Sequence, residues 1–150
     1  MRIMRFYFLF VVAAVAFLPL TSFSQSPVGD WKTIDDKTGV VKSIITISEV
    51  DGKYFGHVKE ILDEEFKDQQ DLLCEPCPGD KKNQPVVGLE IIWDMEKTKW
   101  NKWTEGKIMD PENGKIYGCQ ISCENPNKLK VRGFLGFAAL GRNQYWHRVK

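Results

Sequence analysis

Residues 40–61 read VVKSIITISEV, then DG, then KYFGHVKEI. Two runs rich in β-branched and aromatic residues flank Asp51-Gly52, a dipeptide suited to the positive φ angles of a tight hairpin turn, so this stretch reads as two antiparallel strands. The same pattern recurs outward from it. Short strand candidates fall at residues 30–33, 88–93, 99–103, 107–110, 115–123, 128–134 and 142–149. Between them lie turn-forming clusters such as Asp110-Pro111-Glu112-Asn113-Gly114 and Asn125-Pro126-Asn127. No heptad, long amphipathic helix or internal repeat competes with this reading. About eight or nine strands joined mostly by hairpins predict an all-β, antiparallel up-and-down meander, and closing it into a barrel removes the exposed edges. The exception is Leu62 to Pro85, a polar connection rich in Asp, Lys and Pro with room for one helical turn.

Ahead of the first strand the chain changes character. Arg2 and Arg5 precede thirteen uninterrupted apolar residues, Phe6 to Leu18, and Ser22 and Ser24 stand three residues and one residue before a cut ahead of Gln25. A membrane-spanning helix needs roughly 20 apolar residues, so residues 1–24 are expected to be a cleaved signal peptide and not an anchor. The expected product is a single β-barrel domain, residues 25–150, periplasmic or secreted, with no membrane anchor. Of the 150 residues, 21 are basic and 20 acidic; removing residues 1–24 takes away two basic and no acidic groups, which leaves a net charge of −1. With no one-signed field to hold a phosphate backbone, a nucleic-acid partner is not expected.

Little in the chain has the pattern of catalysis. His57 and His147 are the only histidines, neither has a carboxylate at a catalytic spacing, and no nucleophile elbow, His-Glu-x-x-His or phosphate loop occurs. Cys74-Glu75-Pro76-Cys77 has the spacing of a redox pair or half a zinc site, but Pro78-Gly79 follows it where a redox dithiol would open a helix. Cys119 and Cys123, four apart on one strand, lie about 13 Å from each other, too far to bond. Either Cys74 pairs with Cys77, leaving two free thiols, or two bridges run from loop to strand. A structural Cys74–Cys77 disulfide is the expectation in an oxidising compartment, with no metal, no cofactor and no enzymatic activity.

Aromatic and basic residues are more informative. Gly29-Asp30-Trp31 opens the first strand and Tyr145-Trp146-His147-Arg148 forms the last. Closure of a barrel brings those strands together, so the Arg148 guanidinium is expected on the face of the Trp31 indole. Gly29-x-Trp31 with a late Arg resembles the lipocalin and calycin signature. The mature chain as a whole resembles the bacterial secreted family called domain of unknown function 2147. The matching pieces include Asp36-Lys37-Thr38-Gly39, Cys74-x-x-Cys77, Gly106 to Lys115 with Tyr117, Leu129 to Gly136, and Leu140-Gly141-Arg142-x-Gln144-x-Trp146-x-Arg148. That resemblance implies a lipocalin-like or fatty-acid-binding-protein-like barrel and says little about activity.

An eight-stranded barrel has room for its own side chains or one small ligand. The leading functional expectation is a non-enzymatic barrel that binds a small, largely apolar ligand such as a fatty acid or other lipid. Trp93 and Tyr117 are its expected walls, Phe134 and Phe137 lie near the mouth, and Arg132 is the anchor for an acidic head group. Alternation also allows Arg132 to share a solvated outer face with Lys128 and Lys130, opposite Leu129 and Val131. The segment GFLGFAALG, residues 133–141, is either a flap over the ligand or a plug in one barrel end. Trp93, Trp100 and Trp103 are expected to anchor the core, because indoles three apart on a strand cannot form a flat sugar platform. The alternatives are an envelope interaction or structural module with a side-chain-filled barrel and, behind it, a thiol-redox protein using Cys74 and Cys77.

Overall fold

A computed structural model describes residues 25–150. The expected signal peptide, residues 1–24, lies outside the described residues. Eight antiparallel strands follow one another around a closed barrel: β1 (Gly29–Ile34), β2 (Val41–Val50), β3 (Lys53–Ile61), β4 (Glu90–Lys99), β5 (Lys102–Met109), β6 (Ile116–Asn125), β7 (Lys128–Phe134) and β8 (Arg142–Arg148). Each pairs with its sequence neighbour, and β8 closes on β1 with Trp31 opposite Arg148 and Lys32 opposite His147. The hairpin read at residues 40–61 is present, with Asp51 and Gly52 both at positive φ in the turn between β2 and β3.

The candidates at residues 88–93, 99–103 and 107–110 resolve into two strands, not three. The chain turns at Trp100 and Asn101, so β4 and β5 are both longer than their sequence patterns suggest. Asp94 and Glu105 take positive φ within these strands, next to irregularities in the pairing; such bulges interrupt alternation and hide strand continuity from a periodicity reading. Trp100 consequently sits exposed in the turn, contrary to its expected place in the core, whereas Trp103 is buried.

Residues on alternate positions of every strand point inward. At the end where β1 begins and β8 finishes, the interior is filled by Trp31, Ile47, Tyr54, Met95, Trp103 and Trp146, all buried. Gly106 gives Met95 its space, since a Cβ there would collide with the Met95 thioether. The connection from β3 to β4 contains the expected short turn, a 3-10 helix at Gly79–Lys81. Its Val86, Cys74 and Cys77 are buried, as are Ile91 and Met109, which stand on the face opposite Ile92 and Ile108. This connection therefore covers the outside of β4 and β5 and makes that wall apolar on both faces.

Candidate functional site

The barrel has two unlike ends. At the closed end, the Arg148 guanidinium carbon lies 4.1 Å from the centroid of the Trp31 ring. Its nitrogens donate to the carbonyls of Pro126 (2.7 Å), Val28 (3.0 Å) and Ser26 (3.1 Å), and the Trp31 indole N–H donates to the Pro27 carbonyl at 2.7 Å. One cation thus joins the last strand, the β6–β7 turn and the segment that leads into β1. The planar guanidinium can serve three diverging carbonyls while its face lies on the ring, which an ammonium could not do.

Toward the other end the same inward rows become more open. On β5 the sequence of inward residues runs from buried Trp103 to half-buried Ile108; on β6, from Cys123, Ile121 and Cys119 to half-buried Tyr117. On β7 it runs from Leu129 and Val131 to Gly133, and on β8 from Trp146 to Gln144. Ile108 pairs with Tyr117, and a Cβ built on Gly133 would meet Tyr117 at 3.7 Å and Ile108 at 3.8 Å, ordinary van der Waals distances. Across the barrel, Thr33 and Ser43 face inward with hydroxyl oxygens 2.9 Å apart. These residues form the inner surface at this end of the barrel, here termed the cup, and it is part apolar and part uncharged polar.

Of the residues expected to hold a ligand, Tyr117 is on this inner face. Trp93 is not: Ile92 points inward against Gly56, so Trp93 projects outward, where the Lys81 ammonium lies 5.2 Å from its ring centroid. Phe134 also stands outside, its ring over Gly118 on the neighbouring strand, because it shares parity with Arg132 and not with Val131. Phe137 is 78% exposed in the β7–β8 connection, outside the strands that form the barrel wall.

Arg132 is the main correction. Its Nε donates to the Ala138 carbonyl at 2.6 Å, one terminal nitrogen to Asn143 Oδ1 at 2.7 Å and the other to the Ala139 carbonyl at 2.9 Å. It lies on the outer face and clamps the connection, so it cannot meet a ligand head group inside the barrel. Arg142 has inward parity at the rim, opposite Gly133, but both guanidinium nitrogens that contact Asp36 are engaged in an ion pair linking β8 to the β1–β2 loop. That arginine holds the Asp36 carboxyl below the ordinary carboxylate range.

Cys74 and Cys77 are disulfide-bonded, with Cα atoms 5.4 Å apart, and Cys119 and Cys123 are free. The bridge lies against the β5–β6 turn: Cys74 Sγ is 3.4 Å from the Pro111 carbonyl oxygen, and a Cβ on Gly114 would collide with the Pro76 carbonyl. Burial of both half-cystines shields them from an attacking thiolate, which is unlike a working exchange site. Burial also pushes the Cys119 thiol up to about 12, so it is neither nucleophile nor ready metal ligand at neutral pH.

With this geometry in view, comparison with known proteins places the chain. The profile of the family described as "Uncharacterized protein conserved in bacteria (DUF2147)" matches residues 29–148, the whole span of the barrel. The chain belongs to this family. Among solved structures, it is similar to one described as "Protein HP1028 from the human pathogen Helicobacter pylori belongs to the lipocalin family". The TM-score is 0.72 at 17% identity, over 83% of this chain and 84% of that one. At that identity the likeness concerns the fold, a lipocalin-like barrel, and agrees with the stacked Trp31 and Arg148 at its closed end. No sequence among curated proteins matches the chain.

Proposed function

We propose that this DUF2147 protein is a non-enzymatic carrier outside the cytoplasm that takes one small, largely apolar molecule into the open half of its barrel. The observation that supports this reading is the burial gradient along the inner face: large buried side chains fill one end, while half-buried Ile108, Tyr117, Gly133 and Gln144 leave the other reachable from solvent. A small ligand requires an apolar surface with a few polar groups that fix its orientation, and Tyr117, Gln144, Thr33 and Ser43 are groups of that kind.

Among the described residues, the inner face of this cup presents no cation that is not already ion-paired. A neutral ligand with a hydroxyl, ester or amide group therefore fits better than a fatty-acid carboxylate, whose desolvation would go uncompensated. The chain of such a ligand would contribute about 0.8 kcal/mol per buried methylene.

The test is titration with Nile red, followed by displacement with a long-chain alcohol and the acid of equal length, on the wild type and Gly133→Leu. Leucine is tolerated by the Gly133 backbone but extends into the cup. Saturable binding that the alcohol displaces better than the acid, and that Gly133→Leu loses, supports a carrier of neutral molecules. No saturable binding by the wild type would favour a structural or interaction module whose barrel is filled by its own side chains.

A further inference from the structure

The segment between β7 and β8 has a composition that carriage of a ligand in the cup does not require. Leu135, Phe137 and Leu140 are 66%, 78% and 82% exposed, and no residue from Gly133 to Gly141 has a side-chain hydrogen-bonding group. Ile116, on the adjoining hairpin, adds a further exposed apolar side chain. Such a concentration on one projecting connection marks an interaction surface.

Two features say what meets it. First, only part of the backbone in this tip is paired internally: the Leu140 N–H donates to the Phe137 carbonyl, the Gly141 N–H to that of Ala138, and Arg132 donates to the carbonyls of Ala138 and Ala139, while the N–H groups of Leu135, Gly136 and Phe137 have no partner among the described residues. Backbone groups left open in this way exclude the hydrocarbon core but suit the hydrated headgroup region, from which exposed apolar side chains can reach the acyl boundary. Second, the charge at its base is cationic and unspent. Arg132 has no carboxylate partner among the described residues and uses three of its five N–H donors, which leaves two for a phosphate. Acids around the rim are engaged elsewhere: Asp36 by Arg142, Asp63 and Glu112 by Lys42, Asp35 and Asp110 by N–H groups of their own turns. The acidic part of the β3–β4 connection, with Glu65, Asp68, Asp71 and Glu75, belongs to strands on the opposite side of the barrel.

We infer that the β7–β8 tip docks on a lipid bilayer, with Leu135, Phe137 and Leu140 entering the interface and Arg132 at the level of the phosphate groups. The rim of the cup then faces the membrane, tilted so that the acidic connection stays in water. This docking does not depend on any ligand in the barrel.

Flotation tests it directly. The chain from Gln25 onward, which contains all eight strands of the closed barrel, is mixed with vesicles of phosphatidylcholine containing a minority of phosphatidylglycerol. The wild type should float with the vesicles, and Phe137→Glu/Leu140→Glu should reduce the partition coefficient at least about ten-fold. The uncharged Phe137→Ser/Leu140→Ser should lose most of the same binding, with circular dichroism and thermal midpoint unchanged in whichever pair is compared. Trp100→Glu, at the other end of the barrel, should float as the wild type does. Failure of the wild type to float, flotation of both tip variants equal to that of the wild type, or loss confined to Trp100→Glu would overturn the inference. So would sedimentation showing that the tip instead joins two copies of this chain.

Discussion

Arg148 and Arg132 stand on neighbouring strands of the same barrel, each donating to backbone carbonyls, yet they hold very different things. Arg148 at the closed end lies on a fully buried indole and ties three segments into the core. Arg132 at the open end holds up a connection whose side chains point into solvent. The comparison separates stability from function: the closed end should carry most of the folding free energy, and the open end should be free to vary in rigidity, access and contact.

Breaking the closed end should have the largest effect. Trp31→Ala removes a side chain with 0% exposure and the platform under Arg148, and should cost about 3 to 5 kcal/mol, read from urea unfolding. Arg148→Lys keeps the charge but not the fork, and should cost about 1 to 3 kcal/mol, since carbonyls at Pro126, Val28 and Ser26 lose donors. A loss as small as that of a surface lysine would mean the stack is incidental.

Next comes the outer layer. Cys74→Ser/Cys77→Ser opens a bridge that closes only a short loop, so the loss should fall below the usual range of about 2 to 4 kcal/mol. Hydrogen exchange should speed up in residues 72–86 and at the β5–β6 turn while Trp31 and Trp146 stay protected. In the native wild type, an alkylating reagent at pH 8 should leave Cys119 untouched, because its pKa of about 12 and its burial keep the thiolate scarce; denaturant should expose both free thiols.

The open rim should matter least to stability. The Asp36 carboxyl has a lowered pKa in the folded state, so its contribution is present above its unfolded pKa and disappears as pH falls through the lower folded value. Asp36→Asn should therefore abolish only a small acid-side dependence, no more than about 1 kcal/mol, because both partners meet water. A larger effect would show that the rim is part of the structural core after all.

Different parts of this arrangement were legible in the sequence for different reasons. The Trp31–Arg148 stack follows from closure of a meander, which brings its first and last strands together. Tyr117 could be placed because β6 alternates cleanly, with Cys119, Ile121 and Cys123 on one face. Trp93 could not, because the β3–β4 connection buries the outside of β4, so apolar residues occupy both faces and periodicity loses its meaning. Arg132 shows a third case. Alternation already allowed an outer position, but nothing in local sequence indicates that its guanidinium folds back onto carbonyls six and seven residues ahead. The nine candidate strands became eight because the bulges at Asp94 and Glu105 look, in sequence, like interruptions.

On the function proposed above, the barrel is filled at one end and able to receive a molecule at the other. Native mass spectrometry of the wild type and Gly133→Leu, each incubated with a long-chain alcohol, addresses it most directly. A one-to-one complex is expected for the wild type and none for Gly133→Leu, both proteins being folded. Absence of a complex with the wild type, or a complex that survives Gly133→Leu undiminished, would contradict it.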